Sequence, residues 1–190
     1  MSKQNYKKIP QYLLIKMAQD NDFKAIEELV RRIQKEIFGI FMHLCKKREI
    51  VADLTQEALV KIAKNLHKLK NVSKFKTWAN RIAVNLFYDE LRKSAKQIEN
   101  VDINDENQAE EIKDDSMLPL DKCLASELGC IIKNSILTLP IDSRIAIVLR
   151  EFEGLSYEDI ANLTKTNINT VKSRISRARL QLKNTLHDYI

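Results

Sequence analysis

Between Asp22 and Leu44 the apolar residues Phe23, Ile26, Val30, Ile33, Ile37, Ile40 and Leu44 step by 3, 4, 3, 4, 3 and 4. That alternation follows the 3.6-residue period of a helix over about six turns and excludes a strand, whose period is two. It predicts an amphipathic helix, or two helices in line, with one continuous seam. Gly39 is expected to weaken it locally. The same period recurs from Val51 to Leu69, where Val51, Leu54, Ala58, Ile62 and Leu66 share a side. It recurs again over Ser73–Ala95, Cys123–Leu137 and Ile141–Phe152, the last behind Pro140 with Asp142 as its expected cap. Only 3 Gly and 3 Pro occur in 190 residues, too little punctuation for an all-β fold. An all-α chain of one domain or two small ones is expected.

The charge divides this helical chain into three. Residues 1–98 hold 21 basic and 10 acidic side chains, a balance of +11. Residues 99–121 hold 1 basic and 9 acidic ones, −8, and residues 122–190 hold 10 and 7, +3. The middle stretch has too few apolar residues (Val101, Ile103, Ile112) to build a core and reads as a flexible acidic linker. Two small helical domains, 1–98 and 122–190, are expected on either side. Basic modules on an acidic tether point first to a polyanion such as nucleic acid, although pI 9.1 alone would equally fit a solvated charged surface. The N-terminus, with a short apolar stretch from Tyr12 to Ile15 and no small-residue cleavage site, does not read as a signal peptide, and no apolar run reaches the ~18 residues that span a bilayer. A soluble cytoplasmic location is expected.

The sharpest local signal is near the C-terminus. From Lys165 to Lys183 there are six basic residues and no acidic one. Val171, Ile175, Ala178, Leu182 and Leu186 lie along one face of this stretch, so the basic and hydroxyl residues fall on the others. Before it, Ser156 is a good N-cap with Asp159 three positions on, and Ile160, Ala161 and Leu163 give a short helix an apolar side. Thr164, Lys165 and Thr166 interrupt the pattern, and Asn167 or Asn169 can cap the basic helix. A short helix, a tight turn and a basic second helix describe a helix-turn-helix, whose second helix enters the major groove. In that geometry Thr170, Lys172, Ser173, Ser176 and Arg177 face DNA, with Lys172, Arg174 and Arg179 as candidates for phosphate. The competing reading is an ordinary helical hairpin with a solvated basic face, which the six-to-zero charge count disfavours.

In the N-terminal part, the helix from Val51 carries Asp53, Gln56 and Glu57 early and Lys61 and Lys64 later. Macrodipole matching explains that order without any partner. The helix from Ser73 opens with Lys74, Lys76, Asn80 and Arg81, interleaved with Phe75 and Trp78 and followed by Phe87 and Tyr88. Cations and flat rings together suit single-stranded DNA. The alternative, that Phe75 and Trp78 are simply core, is at least as good on these residues alone.

LTLPIDSRIAIVLREFEGLSYEDIANLTKTNINTVKSRISRARLQL, with its LP, R, GLSYEDIA and TVKSRISRAR segments, resembles region four of bacterial RNA polymerase sigma factors. It departs in the turn, where Lys165 stands in place of the usual Gly and a left-handed conformation costs about 1 kcal/mol. VADLTQEALVKIAKNL resembles the region-two helix that docks on the clamp coiled coil of the polymerase large subunit. KFKTWANRIAVNLFYDELRK resembles the adjoining part that opens and reads the minus-ten element. The match covers about residues 11–96 and 130–186, with no room between for a further domain, the arrangement of the extracytoplasmic-function type.

The resemblance implies docking through Asp53, Leu54, Gln56 and Glu57. It implies a flipped-base pocket at the loop Lys68 to Ser73, including Lys70, Asn71 and Ser73. Lys74, Phe75, Thr77, Trp78, Asn80, Arg81 and Asn85 would meet the opened strand. The minus-thirty-five element would meet Thr170, Lys172, Ser173, Arg174, Ser176, Arg177 and Arg179. The implied partners are core RNA polymerase (clamp coiled coil and flap), promoter DNA and an anti-sigma factor, in this family often membrane-bound. The implied role is promoter-specific initiation in a stress or envelope response.

No catalytic constellation, cofactor or small-molecule substrate is expected. The three glycines, Gly39, Gly129 and Gly154, form no phosphate loop, and His43, Cys45, Cys123 and Cys130 lack metal-ligand spacing. Structural cysteines and no metal are expected. Two rivals remain at this point: a free-standing helix-turn-helix repressor, and a decoy that occupies the polymerase clamp without reading DNA.

Overall fold

The computed structural model describes residues 5–99 and 127–189. The residues described are helical, with no strand among them. Eight α-helices follow in order: α1 (Gln11–Gln19), α2 (Phe23–Leu44), α3 (Arg48–Asn65), α4 (Phe75–Glu99), α5 (Glu127–Leu137), α6 (Ile141–Glu151), α7 (Tyr157–Thr164) and α8 (Ile168–Leu186). The expected acidic linker, 99–121, lies outside the described residues apart from Glu99, as does Cys123.

The seam on α2 is realised as one unbroken helix that passes through Gly39. Ile33, Ile37, Ile40 and Leu44 are buried, while Phe23 at its first position is exposed. Asp22 starts the helix by accepting from the backbone N–H of Lys24 and Ala25 at 3.0 and 3.1 Å. Next to it is α1, a helix that periodicity did not pick out because only Leu14, Ile15 and Ala18 of its two turns are buried. Asn21 ends α1 in the left-handed region (φ 65°), and the N–H of Asp22 reaches back to the carbonyl of Met17 at 3.0 Å. Asn tolerates that conformation through its short polar side chain. Glu28, buried on α2, accepts from Arg31 and Arg32 at 2.8 Å, and these two guanidinium groups hold its carboxyl down at about 2.

The boundaries differ in small ways from the periodicity. The helix expected to run to Leu69 ends at Asn65 and continues as a 3-10 turn over Leu66–Lys68, and a second such turn, Val72–Lys74, precedes α4. Helix α6 starts at Ile141 with Pro140 in the N-cap position, and Asp142 is not its cap. The Asp142 carboxylate lies in the first turn and pairs with Arg174 of α8 instead. Ser156 caps α7, accepting from the N–H of Asp159 at 3.0 Å and donating to its carboxylate at 2.8 Å. Of the two asparagines that could cap α8, Asn167 does so, accepting from the N–H of Asn169 at 2.8 Å. Lys165 adopts the left-handed conformation (φ 55°, ψ 42°) that the turn demands, and the N–H of Thr166 bonds the carbonyl of Ala161 at 3.0 Å.

The first four helices pack against the last four. Arg144 of α6 is buried and donates to three carbonyls: Leu137 (2.6 Å) and Leu139 (3.0 Å) beside it, and Leu44 (2.9 Å) at the end of α2. The His43 ring lies 4.0 Å from that of Phe152. Burial lowers the His43 pKa, so a neutral imidazole sits in this contact. Glu153 is buried against Asn80 (3.4 Å) and Lys76 (3.3 Å) of α4. Lys74 pairs with Asp159 at 3.3 Å. Burial also pushes the Cys45 thiol up to about 12, an unreactive packing group.

Candidate nucleic-acid interfaces

Two exposed regions combine cations with groups that suit nucleic acid. The first runs between α3 and α4. A cleft of about 380 Å³ is lined by Lys61, Asn65, Lys68, Trp78, Ile82 and Asn85, with Leu86 and Asp89 at its end. Trp78 is half-buried, so one part of its ring packs on Phe75 (centroids 6.1 Å apart) and the rest faces the cleft. Phe75 itself is buried in the core. A flat ring, two amides and lysines are what an unstacked base and its phosphates require. The adjoining loop holds Lys70, Asn71 and Ser73, all exposed. Asn71 stiffens it by accepting from the N–H (3.0 Å) and hydroxyl (2.7 Å) of Ser73. A neighbouring cleft of about 370 Å³ continues along the same groove past Glu57, Arg92 and Lys93.

The residues named for the opened strand do not all sit at this cleft. Asn85 lines it, Arg81 is exposed and Thr77 is half-buried. Asn80 is fully buried against Glu153, Lys74 is ion-paired to Asp159 of α7, and Lys76 is ion-paired to Glu153 of the α6–α7 turn and to Glu36 of α2. Asn65 and Ile82, which line the cleft, were missed. The signal was available, since Lys61 and Asn65 are four apart on α3 and Trp78, Ile82 and Asn85 share a face of α4. On α3, Asp53, Gln56 and Glu57 project into solvent, whereas Leu54 is buried beneath them.

The second region is α8. Val171, Ile175 and Ala178 are buried, and Lys172, Ser176, Arg177 and Arg179 are exposed, with Thr170, Ser173 and Arg174 half-buried. Its cations are not equivalent. Arg174 is tied to Asp142, and Arg179 donates to Glu151 through Nε (3.0 Å) and Nη2 (2.6 Å), so both brace α8 against α6. Arg177 contacts only Ser173 of its own helix, at 3.2–3.3 Å, and has no carboxylate partner among the described residues. Lys172 lies 6.0 Å from the ring of Tyr157, whose face is also covered by Arg150 at 4.6 Å.

The family model for Sigma-70 region 2 matches residues 29–97, and that for Sigma-70, region 4 matches residues 131–182. The chain is 36% identical over 178 residues to the ECF RNA polymerase sigma-E factor of Haemophilus influenzae, covering 91% of this chain and 93% of that protein. The chain belongs to the ECF sigma factors. It is also similar to the RNA polymerase sigma-H factor of Pseudomonas aeruginosa, at 35% identity over 87% of this chain and 88% of that one. Among solved structures it resembles the sigma factor RpoE of Bartonella quintana, crystallised with the anti-sigma factor NepR (TM-score 0.69, 28% identity, 86% of this chain and 98% of that one). As a sigma factor it directs promoter-specific initiation by RNA polymerase.

In the sigma factor, Glu153 is a buried acid that faces Asn80 and Lys76 of α4. Its burial raises its pKa, and the Lys76 ammonium and the Asn80 amide draw it only part-way back. A carboxyl whose folded pKa is raised favours the folded state most when protonated. That contribution is full below the unfolded value near 4.5 and is lost as pH rises through the folded one. Glu153→Gln keeps the shape without the charge. The melting temperature of this variant should equal that of the wild type at pH 4 and exceed it increasingly as pH rises, as thermal melts across pH 4–8 will show. A constant difference over that range would exclude a charge effect.

Among the described residues no group of His, Cys, Asp or Glu could hold a metal ion, and no helix is long and apolar enough to cross a membrane.

Proposed function

We propose that this sigma factor divides its work between two modules, 1–98 and 122–190, joined by the acidic segment 99–121. Asp53, Gln56 and Glu57 dock α3 on the large-subunit clamp. The α3–α4 cleft then takes an unstacked base of the minus-ten element between Trp78 and the loop Lys70–Ser73, with Asn85 and Arg81 along the strand. Helix α8 reads the minus-thirty-five duplex through Thr170, Lys172, Ser173, Ser176 and Arg177. What supports this reading is the contrast between two exposed basic sites. One is a cleft roomy enough for a base with a half-free tryptophan, and the other is a helix carrying an arginine that no carboxylate among the described residues claims. Extruding a base costs a few kcal/mol of unstacking, which the cleft offsets.

In this reading the protein catalyses nothing; binding energy drives melting. For Asn80 to reach DNA, helices α5–α8 must leave α4, because Glu153 covers its amide. The resemblance to a sigma factor solved with its anti-sigma factor favours such a partner here, and a cytoplasmic protein acting in a stress or envelope response.

Run-off transcription with core polymerase on a promoter library tests the proposal. Defined start sites that appear only when this protein and core are combined are expected. Specific operator binding by the protein alone, with no initiation on any template, would instead favour a helix-turn-helix repressor.

A further inference from the structure

The loop proposed to read the minus-ten element is braced within by Asn71 and, at its entry, from a distant helix. Its entry is the turn Leu66–Lys68 followed by Leu69, and the side chains of Leu66 and Leu69 are buried while His67, Lys68, Lys70 and Asn71 are exposed. The N–H of Leu69 closes this turn on the carbonyl of Leu66 at 3.1 Å. Two carbonyls there receive a donor from far away in sequence. The Gln19 side-chain amide donates to the carbonyl of Leu66 at 3.1 Å and to that of Leu69 at 2.8 Å. Both partners are acceptors, so the NH₂ end of the amide faces them whichever way the side chain is drawn.

Gln19 is itself held firmly. It is the last residue of α1, whose inner face of Leu14, Ile15 and Ala18 is buried, and the left-handed turn at Asn21 fixes where the helix stops. Helix α1 also lies outside the region-2 match, which begins at Leu29.

We propose that Gln19 is a positioning residue for minus-ten specificity: its two N–H bonds lock the Leu66–Leu69 entry of the loop, so that Lys68 and the Lys70–Ser73 segment present one fixed edge to an unstacked base. This rests on the reading of that loop as the base pocket. Gln19 touches no DNA and acts through the loop backbone. Without it the turn keeps only its local backbone bonds, the loop samples several shapes, and discrimination between bases falls more than affinity does. Specificity depends on placing donors and acceptors to within fractions of an ångström, whereas phosphate attraction tolerates movement.

The test uses full-length protein with core polymerase on templates randomised across the minus-ten element, reading the ratio of initiation between the best and poorest templates. Gln19→Met keeps the length and removes both donors. Gln19→Lys restores a donor at similar reach, and its added charge acts on all templates alike. The ratio is expected to fall at least tenfold for Gln19→Met and to stay within twofold of wild type for Gln19→Lys, with minus-thirty-five duplex binding and melting temperature nearly unchanged in both. An unchanged ratio in Gln19→Met, an equal loss on every template, or a Gln19→Lys variant as impaired as Gln19→Met would overturn the inference. Lys70→Ala and Asn71→Ala separate the two levels. If they alter discrimination and Gln19→Met does not, only the role of Gln19 fails. If neither alters it, the loop is not the reader and the proposed function fails with it.

Discussion

Replacing Arg144 with alanine will destabilise the protein more than any exposed substitution, by about 3–5 kcal/mol, because it strips the charged donor from three carbonyls in a dry setting. Two of them, Leu137 at the end of α5 and Leu139 in the turn that follows, lie just before α6. The third, Leu44, is the last residue of α2, so the same side chain ties the first helical group to the second. A guanidinium can serve all three because its donors fan out in one plane; Arg144→Lys offers a single point of donation and will recover less than half of the loss. Chemical denaturation and thermal melting measure both. A domain of this size loses roughly 4–8 °C per kcal/mol, so a fall of more than about 10 °C is expected for Arg144→Ala. Arg81→Ala, on an exposed side chain, serves as the control at under about 0.5 kcal/mol. A loss below 1 kcal/mol in Arg144→Ala would mean that water replaces the guanidinium and that the site is not dry.

The second large effect is on DNA. Arg177→Ala in the reconstituted holoenzyme is expected to weaken minus-thirty-five duplex binding by about 1–3 kcal/mol, roughly five- to a hundredfold, and to relax preference at one base pair while leaving core docking intact. Fluorescence anisotropy with a labelled duplex reads the first quantity, and competition against labelled wild-type protein for core reads the second. Arg174→Ala makes the useful contrast. That side chain is engaged with Asp142, so its loss should appear mainly as a lower melting temperature. The double variant Asp53→Ala with Gln56→Ala is expected to do the reverse of Arg177→Ala, weakening core docking and sparing the duplex. If it and Arg177→Ala impaired the same step equally, the division of labour between the modules would be wrong.

These two expectations come from different layers of information. The helix-turn-helix was legible from Ser156, the interrupted pattern at Thr164–Thr166 and the apolar face of α8, because caps and periodicity are local properties that survive packing. Arg174, Arg177 and Arg179 look alike in sequence, all basic on one helix. Which of them is left for DNA depends on where Asp142 and Glu151 of α6 fall after the two helices cross. Phe75 and Trp78 show the same limit. Three positions apart on α4, one is buried and the other half-faces a cleft, and only the placement of α3 distinguishes them. Helix α1 escaped notice because a two-turn helix carries too few apolar positions to establish a period. Its consequence, the reach of Gln19 to carbonyls 47 and 50 residues away, has no sequence signature at all.

By itself, then, the sequence determined the all-α character, the cap at Ser156, the uneven charge and the family motifs, since each depends on residues within a turn or two of one another. The tertiary structure alone decided the burial of Asn80 under Glu153, the three hydrogen bonds of Arg144, the pairing of Arg174 with Asp142 and of Arg179 with Glu151, and the anchoring of the loop by Gln19. Periodicity states which face of a helix is apolar. It does not state which helix that face will meet, and the polar groups that come to lie opposite one another are set by that meeting.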